Sequence, residues 1–225
     1  MEVHPFTGDL TEAILARRSI RTGYVREPLS IDVLDRIVLA GLSAPSSKNA
    51  QSWRFHVITD GHTLDHIASL ILAAEDKDSF VPSDPKTGSP RATYDSSVRE
   101  SAHVLQHVPA AIMVENLGRF SYNRRTLAQT EPQFMDNALL GFALEMVGIG
   151  AAIENMWLAA TSLGLGAVFM GDVLIVEDSI KRLLDVQGDI IGALALGHSS
   201  AMDVGPRRLK DGRVTHVDAG VARGA

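Results

Sequence analysis

"MDNALLGFALEMVGIGAAIENMWLAATSLGL", Met135–Leu165, is the stretch on which the fold turns. It is the most apolar segment of the chain, interrupted by the charges of Asp136, Glu145 and Glu154. A membrane span needs an uninterrupted apolar run of roughly 20 residues. A helix that is apolar nearly all round in an otherwise ordinary chain reads instead as a central core helix or a subunit-interface helix, so no membrane partner is expected. The wider composition agrees: 225 residues, 45% apolar and 21% charged, with a net charge of −6. Such a chain can bury a substantial core as one large domain. An acidic chain is a poor electrostatic partner for nucleic acid, which requires a basic face. Cysteine is absent, which excludes disulfides, thiolate metal sites and a cysteine nucleophile and is compatible with a reducing cytoplasm. "MEVHPFTGDLTEA" shows no charged segment followed by an apolar run, so no signal peptide is read and a cytoplasmic location is expected.

Upstream of the long helix, Thr11 can cap a first helix reaching about Arg18, with Ile14 and Leu15 on its inner side. Ser30 is the next N-cap, and Leu34, Ile37, Val38 and Gly41 follow at helical spacing until Pro45 stops the helix. "WRFHVIT" alternates Trp53, Phe55 and Val57 as a strand does; Asp60-Gly61 makes a turn, and Thr63 to Ala74 is helical. A helix is expected over Val98–His107 and a buried strand over Pro109–Glu115. Downstream come a short strand "AVFM", a helix within Ile175–Leu184, and a last strand "IIGALALG". Two stretches, near 75–97 and 118–134, lack periodicity and read as irregular insertions. Mixed helices and strands without regular alternation point to an α+β fold. No linker divides the chain, so 1–225 reads as a single domain.

Three polar clusters carry the candidate chemistry. In "RRSIR", if the helix continues, Arg17 and Arg21 lie one turn apart with Ser19 beside them. Two planar guanidinium forks and a hydroxyl suit a phosphate. The same cations at a helix C-terminus also complement its dipole while staying solvated, and the cluster's own pattern leaves both readings open. "SAPSSKNAQSW" offers Ser46, Ser47, Asn49 and Gln51 on a turn started by Pro45. These groups suit the edge of a polar ring, and Pro, Ser and Asn also suit a plain helix-to-strand turn. In "LGLGAVFMGD", Gly164 and Gly166 suit a helix cap and a tight turn at positive φ, and Gly171 would let backbone approach a flat ligand. The spacing is not that of a dinucleotide fingerprint or a P-loop. His62/His66 and His103/His107 are each four apart, but no H-E-x-x-H pattern or third ligand accompanies them, so no metal is expected. A serine-hydrolase elbow is also missing.

Taken in order, "RRSIR", "APSSKNAQSW", "NMWLAATSLGLGAVFMGD" and "ALALGH" resemble the FMN-dependent nitroreductase family over roughly 14–53 and 149–208. The resemblance implies an α+β homodimer, a mixed sheet flanked by helices, and the long central helix at the dimer interface. It further implies FMN bound between subunits. Arg17, Ser19 and Arg21 would hold its phosphate and ribityl end, with Arg18 contributing backbone and Arg208 reaching in from the tail. Pro45, Ser46, Ser47, Asn49 and Gln51 would line the ring from the partner subunit, and Met170 and Gly171 would set backbone against its pyrimidine and N5 edge. Three positions depart from the family pattern: Ser52 replaces a common proline, Met170 a common glutamate, and Pro206 a lysine of some members, for which Arg207 could substitute. In such a protein the flavin carries the chemistry and no catalytic side chain is named. NAD(P)H would visit transiently as reductant, and a small nitroaromatic, quinone or similar electron-poor acceptor would follow. Phe120, Tyr122 and Phe134, with Phe80 and Tyr94, are the aromatics of the irregular stretches that could gate the acceptor or simply anchor their loops. The same resemblance admits a flavin-dependent dehydrogenase or oxidase of a biosynthetic intermediate, or a non-catalytic flavin binder.

Overall fold

The computed structural model describes residues 10–78, 87, 89, 96–202, 205, 211–218 and 221–224. Its helices are α1 (Leu10–Ala16), α2 (Ile31–Leu42), α3 (Gly61–Ala73), α4 (Ser97–His107), α5 (Arg124–Ala128), α6 (Met135–Ser162) and α7 (Glu177–Leu184). Strands β1 (Trp53–Ile58), β2 (Ala110–Asn116), β3 (Gly166–Met170) and β4 (Asp189–Gly197) form one antiparallel sheet in the order β1-β2-β4-β3. A separate hairpin joins β5 (Thr215–Asp218) to β6 (Val221–Gly224).

Side chains of a strand point alternately to its two faces, and this alternation sorts the molecule into two cores. Ala111 and Met113 of β2, Val168 and Met170 of β3, and Ala193 and Ala195 of β4 face a core closed by Leu64, Ile67 and Ile71 of α3 and Leu105 of α4. Ala110, Ile112, Val114, Ala167, Leu194 and Leu196 face the other, closed by Leu34 and Ile37 of α2 and Ile149, Ile153 and Met156 of α6. With both faces covered, β2 is buried at every position, which is why "AAIMV" reads as an unbroken apolar run.

The long apolar helix is α6, 28 residues and so about 42 Å in length. Pro132–Ser162 meets the length and composition of a membrane-crossing helix, yet one side of it packs into the second core and carries a buried carboxylate. Glu145, 2% exposed, accepts from Asn116 Nδ2 at 2.9 Å and Ser121 N at 3.0 Å, and also from Phe120 N and the Ser121 hydroxyl. Burial pushes its pKa up. The bonds from the Ser121 hydroxyl, the Asn116 amide and the two backbone N–H groups outweigh that and hold it below the usual carboxylate range. Through these bonds α6 pins the segment after β2. Gly118, at φ +62°, completes the turn, and a Cβ there would lie 1.4 Å from Tyr122 O.

Most expected elements are present, and the differences have local causes. Helix α1 ends at Ala16 instead of continuing through Arg18, and Ile14 and Leu15 are 43% and 67% exposed, not inward; Ala13 is the buried residue. Ser30 caps α2 as expected, accepting from Val33 N at 3.3 Å. Asp60-Gly61 is a helix start and not a free turn, because Asp60 Oδ2 accepts from Thr63 N at 2.8 Å. Gly164 does adopt φ +74°, whereas Gly166 lies in β3 and is small because Ile20 and Ser199 crowd it at 3.2 Å. The 118–134 stretch contains α5, capped by Asn123. The 75–97 stretch opens with a 3-10 turn at Glu75–Asp78 and closes into α4 at Ser97, most of its interior lying outside the described residues.

Glu145→Ala leaves several buried donors unpaired, each at about 1–3 kcal/mol. We expect a loss of about 3 kcal/mol in unfolding free energy, measured in urea at neutral pH. Since the folded pKa of Glu145 is depressed, its contribution is fully present above the unfolded value of about 4.3 and is lost as the pH falls through the folded value. Stability measured from pH 7 to 3 should therefore fall less steeply in Glu145→Gln than in the parent.

Candidate functional site

The arginine cluster is extended, not helical. After Ala16 the chain runs along the open edge of β3: Ser19 forms a parallel bridge with Ala167, and Ile20 N donates to Ala167 O at 3.0 Å. Ile20 is buried, and Tyr24 Oη donates to Ile20 O at 2.7 Å. Burial pushes the Tyr24 phenol well above its ordinary pKa, so it remains a proton donor throughout the physiological range. The expected pairing of Arg17 and Arg21 on one helix face is therefore corrected. The guanidinium of Arg17 lies 4.5 Å from the Trp157 ring centroid, and its Nε is 3.0 Å from Glu154 of α6. Arg18 donates to Leu15 O, Arg17 O and Gly205 O. Arg21 Nε lies 2.9 Å from Glu100 Oε2 of α4.

A cavity of about 770 Å³ opens where this arm meets the end of β3. Its walls come from four places in the sequence: Arg21; Asp76; Ser97, Glu100, Ser101 and Val104 of α4; and Val168, Phe169, Met170, Gly171 and Asp172 with Leu174 and Ile175. One residue of "RRSIR" thus meets the "MGD" motif on a single wall. Gly171 has an ordinary φ of −82°, and a Cβ built there meets nothing within 4 Å, so its value is an open backbone and not a special turn. Guanidinium, apolar strand end and uncovered backbone together suit a flat, partly anionic ligand. Ser97, Glu100, Ser101 and Asp172 escaped the sequence reading. The signal was available: Ser97, Glu100, Ser101 and Val104 share one helix face by i, i+3, i+4 and i+7 spacing.

The second cluster lies elsewhere. The 3-10 turn Ser47–Asn49 sits against the middle of α6, where a Cβ on Gly148 would be 3.4 Å from Ser46 Cβ. This is the α2/α6 side of the sheet, opposite the α4 cavity wall. Pro45, Asn49 and Gln51 are exposed; Ser46 and Ser47 are half-buried. Ser46 Oγ accepts from Gln51 N at 3.0 Å, and Gln51 Nε2 donates to Asn49 Oδ1 at 3.0 Å. Lys48, Asn49 and Gln51 have φ of 52°, 54° and 44°, each costing on the order of 1–3 kcal/mol for a non-glycine residue. Such strain concentrates at functional turns and needs surrounding structure to hold it.

Phe120, Tyr122 and Phe134 do not line the cavity. Phe120 packs over Gly141 of α6, and Tyr122 and Phe134 are 74% and 59% exposed. Phe80, Tyr94 and Arg208 lie outside the described residues. No group of three or more metal-ligating side chains occurs among the described residues; His107 Nδ1 instead lies 2.7 Å from His103 O.

A nitrobenzene nitroreductase of Ectopseudomonas oleovorans is 36% identical over 74 residues, a match spanning 33% of this chain and 30% of that enzyme. The NADPH:FMN oxidoreductase of Vibrio harveyi, solved in complex with NAD+, has a TM-score of 0.64 at 21% identity, covering 93% of this chain and 77% of its own. A nitroreductase with bound FMN from Bacteroides fragilis gives 0.62 at 24% identity, covering 94% and 100%. The family model for nitroreductases matches residues 14–198. From the "RRSIR" arm to the end of β4, the match spans the whole sheet and both helical layers, and the chain belongs to the nitroreductase family.

Proposed function

We propose that the protein is an FMN-dependent oxidoreductase that uses NAD(P)H to reduce nitroaromatic, quinone or similar electron-poor acceptors, and that it works as a homodimer in the cytoplasm. The observation that carries this reading is the cavity shared by Arg21, Met170 and Gly171, combined with membership of a family whose solved members include FMN complexes.

The residues fit the cofactor. Arg21 carries five N–H donors; Glu100 engages Nε and Ser19 O accepts from Nη1 at 3.3 Å, so Nη2 remains for a phosphate. A Cβ on Gly171 would meet nothing within 4 Å, so the backbone that follows Met170 is open to a ligand. Val104, Val168 and Leu174 would exclude water from a flat ring. Ser19 and Arg18 would add backbone groups, Arg208 a second cation, and Arg17 the stacking that steadies the arm on α6. FMN held there would supply two-electron, hydride-level redox chemistry between NAD(P)H and the acceptor. For a nitro acceptor the balance is one nitro group, one NAD(P)H and one proton giving nitroso product, NAD(P)+ and water. The protein's part is to bind, orient and exclude water.

A second copy of the chain accounts for two further features. Leu139, Leu140, Leu144 and Val147 of α6 are 48%, 59%, 37% and 73% exposed, and α1, which packs on α6, also exposes Leu10, Ile14 and Leu15. An apolar helical face of this kind is an interface in waiting. Pairing across it would bring the strained turn at Pro45, Ser46, Ser47, Asn49 and Gln51 of one subunit to the cavity of the other. Phe120, Tyr122 and Phe134 would lie near the same seam and influence acceptor access.

Three outcomes follow. The purified protein should be yellow, and anaerobic NADH or NADPH should bleach it; a yellow protein that neither nucleotide bleaches would instead be acting as a dehydrogenase, oxidase or flavin binder. Arg21→Ala should stay folded by circular dichroism but bind FMN at least about tenfold more weakly, the usual consequence of losing a charged phosphate contact. Val147→Glu should shift the protein to monomer in light scattering and release flavin with the same concentration dependence.

A further inference from the structure

The cavity carries a charge pattern that cofactor binding does not explain. Among the described residues its lining holds one cation, Arg21, and three carboxylates, Asp76, Glu100 and Asp172. Glu100 pairs with Arg21 at 2.9 Å, so these two offset each other at one end of the cavity. Asp172 is placed differently. It directly follows Gly171, is half-buried, and opens the 3-10 turn Asp172–Val176. Ser101 Oγ donates to Asp172 Oδ1 at 2.6 Å, from a residue only 6% exposed. That bond ties α4 to the segment after β3, its two residues both lining the cavity, and it restrains the carboxylate. Val104, Val168 and Leu174 line the same wall. An ordered charge beside apolar surface is screened less than one in open water, so it acts on whatever ligand charge enters.

We propose that Asp172, positioned by Ser101, makes the acceptor cavity select by charge: neutral and cationic electron-poor aromatics are admitted, and carboxylated or sulfonated ones are disfavoured. This rests on reading the cavity as the flavin and acceptor site. Like-charge juxtaposition is a recognised source of specificity, acting against the wrong ligand more than for the right one. Asp172 is the specificity-determining residue; Ser101 acts through it.

The test compares the FMN-loaded parent with Asp172→Asn, Asp172→Glu and Ser101→Ala. One readout is the equilibrium binding of benzoate and benzamidine, dead-end ligands of similar shape and opposite charge, by calorimetry. The other is the ratio of kcat/KM for 4-nitrobenzyl alcohol over 4-nitrobenzoate. The parent should favour benzamidine and the neutral acceptor. Asp172→Asn should reduce both preferences about tenfold, the scale of one partly screened charge. Asp172→Glu should retain them, and Ser101→Ala should reduce them less than Asp172→Asn does. A purely structural role would change both members of each pair equally, and that result overturns the proposal, as does a parent without charge preference. Flavin content is read separately by absorbance. A parent that holds no flavin overturns the reading of the cavity itself, whereas a flavin-loaded parent with unchanged ratios in Asp172→Asn overturns only the charge selection.

Discussion

One backbone hydrogen bond, from Ile20 N to Ala167 O at 3.0 Å, decides where the N-terminal arginines lie. An edge strand leaves a row of N–H and C=O groups to be covered, and the extended arm after α1 covers the outer edge of β3. Tyr24 reinforces the arrangement, bridging to Ser199 through its backbone and donating from its buried phenol to Ile20 O. Once the arm is held there, Arg21 stands beside the end of β3, where Met170 leads into the open backbone of Gly171. The cavity is a consequence of covering a sheet edge. Helix α4 supplies its opposite wall because the same helix already seals the first core.

The second organising constraint is the double duty of α6. One side is core: Ile149, Met156 and Ala160 pack under the sheet with α2. The other side presents Leu140, Leu144 and Val147 to the outside. A helix with two apolar sides has little polar surface, which is why its sequence looks like a membrane span. Glu145 is the exception on its buried side. That carboxylate is tolerated because four donors from β2 and the following turn converge on it, and it converts α6 from a greasy rod into an anchor for the 117–123 segment.

How much of this was legible beforehand depends on the range of the interaction. Strand and helix identities followed from short-range periodicity, and the Ser30 cap from a single hydroxyl three residues ahead of its partner. The residue types of the arginine cluster mark it as an anion-site candidate, but its conformation does not follow from them. A continued helix would pair Arg17 with Arg21, whereas sheet-edge pairing, which local propensity does not encode, draws the segment out straight. Arg17 then found Trp157 and Glu154, more than 130 positions away in sequence. Ser101 and Asp172 were invisible for the same reason: neither is unusual where it stands in the sequence, and only their 2.6 Å approach gives them meaning. The strain at Lys48, Asn49 and Gln51 also escaped, since only asparagine among them is a habitual left-handed residue.

By itself, then, the amino-acid order determined the α+β class, the element sequence, the long apolar helix and the polar clusters that mark the family, because these depend on neighbours within a turn or a strand. The tertiary structure alone decided which clusters meet. It joined Arg21 to Met170 and Gly171, left the Ser46–Asn49 turn on the opposite side of the sheet, and set Asp172 against Ser101. These outcomes depend on how a doubly covered sheet closes its edge and stacks its two helical layers, a global packing condition that no local stretch of sequence specifies.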